Sequence, residues 1–118
     1  QTFLELGHYT DSILFRPDNN EVDIYIAGSS WKPTHSRPTN SWEHYVLIRE
    51  SGTTKLYINN SKLGQNTLTG SIDMNQDGKI GSSVHSDSQV WDGKLDNVRI
   101  YDRALTEKEI QRLYRMGH

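Results

Sequence analysis

Short apolar or alternating segments recur along the chain, and clusters of turn residues separate them. The strand-like segments are FLEL, SILF, VDIYIAG, HYVLI, KLYI, KIGS and KLDNVRIY, with PDNN, ESG, INNS and SDS between them. Seven or more short strands with turn signals every ~8–12 residues are typical of a β-sandwich or a β-barrel. The pattern therefore predicts an all-β protein.

The clearest pair of strands is the segment HYVLIRESGTTKLYI. Ser51 and Gly52 lie between its two apolar halves, and glycine tolerates the positive φ angles of a tight turn. Alternation directs Leu56 and Ile58 to one side of the second strand and Tyr57 to the other. We predict a β-hairpin here.

One helix is indicated near the end of the chain. Thr106 can cap it, Glu109 completes a capping box, and Leu105 and Ile110 occupy the two positions of a hydrophobic staple. The apolar stripe that follows predicts a helix over residues 107 to 115.

Composition restricts the class of protein. The 118 residues fit one domain with a single core, and no run of aliphatic residues exceeds three, which excludes a membrane-spanning segment. The net charge is −2, with 13 basic and 15 acidic residues well mixed, so nucleic acid is not an expected partner. Cysteine is absent, which leaves the compartment open.

Two longer stretches carry a family resemblance. WDGKLDNVRIYDRALTEKEIQRLY, residues 91–114, closely resembles the C-terminal signature of laminin G-like domains of the concanavalin A-like lectin/glucanase superfamily. WEHYVLIRESGTTKLYINN, residues 42–60, resembles a hairpin of the same family, and KIGSS also fits. The resemblance implies a concanavalin A-like β-sandwich (jelly roll) with one short C-terminal helix, spanning residues 1–118 as a single domain.

One departure from the family concerns the start of the chain. The family begins with strands that include the partner of the C-terminal strand, whereas this chain opens at QTFLELG. We therefore expect a domain that lacks the N-terminal strands of the family. An unpaired apolar edge favours association, so a homodimer is one expectation.

The resemblance also implies a function. Such a domain is expected to be a non-catalytic carbohydrate-binding or adhesion module, secreted or on a bacterial cell surface, with a glycan or cell-surface ligand as its partner and without insertion into a membrane. Two alternatives remain open. One is a protein-interaction or assembly module whose partner chain completes the sheet, and the other is a degenerate glycoside hydrolase.

The hydrolase alternative depends on an acidic motif. Glucanases of this superfamily carry Glu-x-Asp-x-Glu on one strand, and retaining chemistry requires two carboxyl groups ~5–5.5 Å apart. In NEVDIY, Glu21 and Asp23 fit the motif, but Tyr25 takes the third position. We therefore predict that the protein is not an enzyme.

Aromatic side chains are the candidates for sugar stacking. Trp42 and Trp91 stand where the family keeps an aromatic residue for packing, so both are expected in the core. Trp31 lies in the proline-bounded stretch 28–40, outside any strand pattern, with His35 and Arg37 nearby. The Trp31 ring is either tucked under this loop or presented to a ligand. The predicted carbohydrate-binding residues are Trp31, His35 and Arg37.

A calcium-like sequence occurs at DMNQDGKIG, residues 73–81. Asp73, Asn75 and Asp77 occupy the first, third and fifth places of an EF-hand loop, but Val84 stands at the twelfth place, where a Glu is needed. The segment is therefore not an EF-hand. It is a tight turn or a looser cation site with these three ligands, and Asp96 resembles a family metal position. We predict no cofactor, with calcium as the alternative.

Overall fold

The computed structural model of the protein describes residues 2–6, 12–18, 20–70, 78–82 and 90–117. This part of the chain forms eight strands and one helix: β1 (Leu4–Leu6), β2 (Ile13–Pro17), β3 (Val22–Ile26), β4 (Ser29–Trp31), β5 (Tyr45–Glu50), β6 (Thr53–Ile58), β7 (Ser61–Thr67), β8 (Lys79–Ile80) and α1 (Glu107–Met116). The strands form two antiparallel sheets. The prediction of an all-β fold with one short C-terminal helix is confirmed.

The chain divides into two compact units, the first formed by residues 1–38 and 68–96 and the second by residues 39–67 and 97–118. The first unit contains a five-stranded sheet in the order β4-β3-β2-β1-β8. Phe15 pairs with Ile24, and directly paired residues of an antiparallel sheet share a face. Phe15, Val22, Ile24 and Ile26 are all buried on this face, which forms the apolar core of the unit.

The second unit contains the three-stranded sheet β5-β6-β7 and helix α1. Its core cluster consists of Ile48, Tyr57 and Ile110, with Val46, Ala104 and Leu105 packed against it. Ile110 comes from the helix, whereas Ile48 and Tyr57 come from neighbouring strands. Ile110, which belongs to the predicted apolar stripe, therefore holds the helix to its own sheet.

Two tight turns produce the second sheet. Ser51 and Gly52 have φ angles of 49° and 79°, as a two-residue hairpin turn requires, so the predicted β5–β6 hairpin is confirmed. Asn59 and Asn60, with φ angles of 52° and 64°, make a second turn that leads into β7. The sequence indicated this turn but not β7, because nearly every β7 residue is exposed and shows no apolar alternation.

Helix α1 begins as the sequence predicted and ends one residue later. The Thr106 hydroxyl accepts a hydrogen bond from the backbone N–H of Glu109, and the Glu109 carboxylate accepts one from the backbone N–H of Thr106. This reciprocal capping box satisfies two backbone donors at the start of the helix. No helix in the described residues is long and apolar enough to cross a membrane.

Acid titration should weaken the start of this helix. Arg103 donates to both carboxylate oxygens of Glu109, one bond being 2.9 Å, and together with the Thr106 backbone it lowers the pKa of Glu109 to about 2. Because the pKa of Glu109 is lower in the folded protein than in the unfolded chain, its ionised carboxylate stabilises the fold at pH values above the unfolded pKa of ~4.3. That contribution to stability is lost as the pH falls towards 2. In Arg103→Ala, we expect an NMR titration to show the Glu109 pKa rising towards its ordinary value.

The control for this titration is Arg99→Ala, which removes an exposed cation that does not contribute to the lowered pKa of Glu109. It should leave the Glu109 curve where the parent has it. An unchanged Glu109 pKa in Arg103→Ala would contradict the assignment of the depressed pKa to this ion pair.

The predicted strand KLDNVRIY is absent from the structure. Described residues 90–106 contain neither strand nor helix, and the positive φ of Asn97, 52°, interrupts any extended backbone. Val98, Ile100 and Tyr101 are 47%, 61% and 43% exposed. A strand needs a neighbour to share ladder hydrogen bonds, and none of the described strands pairs with this segment. The prediction of a strand here is therefore wrong.

Candidate functional site

Burial alternates along the segment that the sequence singled out for ligand contact. The half-buried residues are Trp31, Pro33, His35 and Arg37, and the exposed ones are Lys32, Thr34 and Ser36. A period of two places Trp31, His35 and Arg37 on the same side of an extended segment. We call these three residues the half-buried strip.

Backbone pairing with β3 positions the first part of the strip. Trp31 is the last residue of β4 and pairs with Ile24, and the backbone N–H of His35 donates to the carbonyl of Asn20 at 3.0 Å. Trp31 therefore lies on the same sheet face as buried Ile24. The prediction that Trp31 lies outside any strand is wrong, because pairing with β3 continues into the proline-bounded segment.

The other end of the strip is fixed by Arg37. Its Nη1 donates to the carbonyl of Pro17 at 3.3 Å, and its guanidinium carbon lies 4.8 Å from the ring centre of Trp91. Such a cation over an indole face is attracted by the ring quadrupole. Trp91 itself packs edge-to-face on Phe3 with 4.3 Å between ring centres, so its predicted packing role is confirmed.

The strip therefore offers two kinds of group that sugars use. The half-buried Trp31 indole presents an apolar face, while Arg37 and His35 provide polar, planar side chains on the same side of the chain. The sequence did not indicate that the Trp91 ring lies against Arg37. No local signal could have found it, because Trp91 and Arg37 come from distant parts of the sequence.

The opposite face of the five-stranded sheet is polar. Arg16 and Asp23 pair directly across β2 and β3 and form an ion pair. Glu5 is almost fully buried on β1, where it pairs with Leu14, so alternation places it on the same face as Arg16. The sequence did not indicate the Arg16–Asp23 pair, because their contact depends on the register of β2 against β3.

The acidic motif lies on this polar face and directly before it in the chain. Asp23 and Tyr25 lie on β3, and Glu21 forms a bridge with Thr34 just before the strand. The Asp23 carboxylate is engaged by Arg16, and a phenol stands at Tyr25 where the motif needs a third acid. This strand therefore does not supply both of the carboxyl groups, the nucleophile and the acid/base, that a retaining glycosidase needs.

Trp42 occupies an unexpected environment. Its predicted place was the core, but the side chain is 54% exposed, so that prediction is wrong. Strand β5 begins only at Tyr45, and Trp42 therefore precedes the ladder that would have set it against the sheet. By contrast, His44 is half-buried, with its ring 5.9 Å from that of Tyr114.

The predicted metal ligands Asp73, Asn75 and Asp77 lie outside the described residues. Among the residues that the structure does describe, no three His, Asp or Glu side chains converge on a metal position. Asp96, the other candidate, is exposed. The alternative of a turn or a cation site at residues 73–77 therefore stays a prediction.

Calcium should leave the stability of the protein unchanged. An ion that binds only the native state and is present at a concentration of 100 times its Kd raises the free energy of unfolding by ~2.7 kcal/mol. This gain corresponds to a rise of roughly 10 °C in melting temperature. We expect thermal melts in EDTA and in millimolar calcium to coincide, since a tight turn explains the Asp73–Asp77 sequence. A shift in the parent that disappears in Asp73→Ala/Asp77→Ala would make these residues ligands.

Comparison with known proteins identifies the family of the chain and a solved structure with a similar fold. The laminin G-like family model, described as concanavalin A-like lectin/glucanases superfamily, matches residues 4–111. A crystal structure of the S-layer domain-containing protein from Clostridium thermocellum ATCC 27405 is similar, with a TM-score of 0.60 and 21% sequence identity. The match covers 97% of this chain and 62% of that one. No curated protein matches the chain.

Proposed function

Because the chain belongs to the concanavalin A-like lectin/glucanases superfamily, we propose that it is a non-catalytic carbohydrate-binding or adhesion module. The predicted laminin G-like resemblance and concanavalin A-like β-sandwich class are confirmed by that family match. Its proposed partner is a glycan or another cell-surface ligand. An extracellular or cell-surface location in a bacterium is part of the proposal, and the similarity to an S-layer domain-containing protein supports it.

One observation carries this proposal, namely the arrangement of the half-buried strip. Trp31, His35 and Arg37 lie on one side of one segment, and Trp91 supports the Arg37 guanidinium. Sugar rings stack their apolar C–H faces on aromatic side chains, while guanidinium and imidazole groups hydrogen-bond to hydroxyls. A strip held by backbone pairing presents these groups with little ordering cost on binding.

A glycan array tests the proposal directly. We expect the labelled protein to bind a restricted set of glycans on the array. A titration with the same free sugar in solution should show saturable binding. The same samples should release no reducing sugar from β-glucans, because Tyr25 replaces the third acid. Absence of binding across the array would overturn the proposal. Turnover that disappears in Glu21→Gln would instead favour the degenerate hydrolase.

A second candidate function is supported by the exposed segment at residues 98–101. Val98, Ile100 and Tyr101 present apolar side chains to solvent and belong to no described strand. Such a segment can add a strand to a second copy of the chain, which would complete a sheet in a homodimer. Light scattering at increasing protein concentration tests this, with Ile100→Lys expected to keep the protein monomeric. A monomer at every concentration in the parent would contradict assembly.

A further inference from the structure

A cavity of about 330 Å³ lies within the second unit, between the β5–β6 hairpin and the start of helix α1. Ile48 and Tyr57, both buried, line it from the sheet, and residues 104–107 line it from the other side. Cavities that hold small molecules have volumes of ~300–1,000 Å³. This cavity is therefore large enough for a small ligand but not for a long polymer segment.

Two side chains of opposite charge line this cavity without neutralising each other. Lys55 pairs with Ile48, and Glu50 lies two residues further along β5, so alternation places both on the cavity side of the sheet. Within the described part of the chain, neither Lys55 nor Glu50 forms an ion pair or a side-chain hydrogen bond. Lys55 is half-buried, and a charge that loses hydration is stabilised by a counter-charge. The cavity therefore offers one free cation and one free anion.

A second acid of the lining, Glu107, is already engaged. Its carboxylate accepts a hydrogen bond of 3.4 Å from the Tyr57 hydroxyl. Burial, and then the nearby Glu107 carboxylate, raise the pKa of Tyr57, so the phenol remains a neutral donor in this bond. The unpaired charges of the cavity are therefore the ammonium of Lys55 and the carboxylate of Glu50.

We propose that this cavity binds a zwitterionic amino acid with an apolar side chain. The carboxylate of the ligand pairs with Lys55, and its ammonium pairs with Glu50. Its side chain packs against the apolar lining at Ile48, Ala104 and Leu105, which favours an aliphatic group over a polar one. A ligand with a single charge would satisfy one of the two free groups and be repelled by the other. The site does not rest on the proposed carbohydrate-binding function, since it shares no residue with the half-buried strip.

Isothermal titration calorimetry with L-leucine tests the inference, and two analogues each lack one of its charges. Isoamylamine has the side chain and ammonium of leucine without the carboxylate, and isocaproate has the side chain and carboxylate without the ammonium. We expect leucine to bind saturably. Each analogue should bind at least about tenfold more weakly, because one charge-assisted contact is lost. Glycine should also bind more weakly than leucine, since it lacks the aliphatic group.

Charge-removing variants assign the two polar contacts. Lys55→Met keeps an aliphatic stem but removes the ammonium, and Glu50→Gln keeps the shape but removes the negative charge. Each should weaken leucine binding at least about tenfold. Lys94→Met and Asp92→Asn make the same chemical changes at exposed positions outside the cavity and should leave leucine binding unchanged. In Lys55→Met, leucine should bind no more tightly than isoamylamine, because its carboxylate has lost its partner.

The outcomes separate this inference from the proposed function. A parent protein that does not bind leucine would overturn the inference, and so would binding that both Lys55→Met and Glu50→Gln leave unchanged. Equal affinity for leucine and either analogue would show that the cavity does not recognise a zwitterion. Trp31→Ala should keep leucine binding, because Trp31 does not line the cavity, and a loss in that variant would contradict the assigned place of the site. Leucine binding without any glycan binding would overturn the proposed function alone.

Discussion

Replacing Ile110 by alanine should lower the free energy of unfolding by about 2–5 kcal/mol. Ile110 is fully buried and is the helix residue in the core cluster with Ile48 and Tyr57. Truncation removes the apolar atoms that hold α1 to its sheet and leaves a cavity that the neighbours fill only in part. For a domain of this size the loss corresponds to a drop of roughly 10 °C or more in melting temperature.

The matched control makes the same chemical change at an exposed site. Ile100 is 61% exposed, so Ile100→Ala should alter stability by less than about 0.5 kcal/mol. Both variants are compared by urea unfolding at low protein concentration, where association does not contribute. Similar losses in the two variants would contradict the described environments of Ile110 and Ile100.

The second large effect concerns Trp31. Trp31→Ala should raise the Kd of a glycan found on the array by at least about 30-fold, as truncation of an aromatic hot spot of about 2 kcal/mol does. The melting temperature should change much less than in Ile110→Ala. Trp31 is half-buried and ends an edge strand, whereas Ile110 is fully enclosed.

Measuring both the Kd and the melting temperature of each variant distinguishes a binding role of Trp31 from a structural one. Lys32→Ala changes the neighbouring exposed residue on the other side of the segment, and it should leave both Kd and melting temperature as in the parent. A melting temperature lowered by many degrees with an unchanged Kd would show that the Trp31 ring is only structural. Arg37→Ala should also weaken binding, since it removes the cation seated on Trp91.

Local interactions made parts of the fold predictable from sequence. The helix start depends on Thr106 and Glu109, which contact each other within one turn of chain, so the capping box could be recognised without any other element. The β5–β6 hairpin is similar, because Ser51 and Gly52 tolerate the φ angles that the turn needs. Strand β7 was missed since it follows a recognisable Asn59–Asn60 turn but is polar throughout its pairing with β6.

The candidate site shows the limit of such local signals. The residue types Trp31, His35 and Arg37 were visible in sequence, but their alternation along a segment paired to β3 depends on a strand register set elsewhere. Trp91 joins them only through the fold.

By itself, the sequence determined the family, the all-β class, the helix with its cap and most of the strand positions, because these follow from periodicity and from contacts between near neighbours. Only the tertiary structure decided which apolar residues are covered. Trp42 and Ile100 have the chemistry of core residues and are exposed, whereas Trp31 was expected in a loop and lies on a strand. Burial depends on the neighbours that pack against a side chain, and those neighbours are distant in sequence.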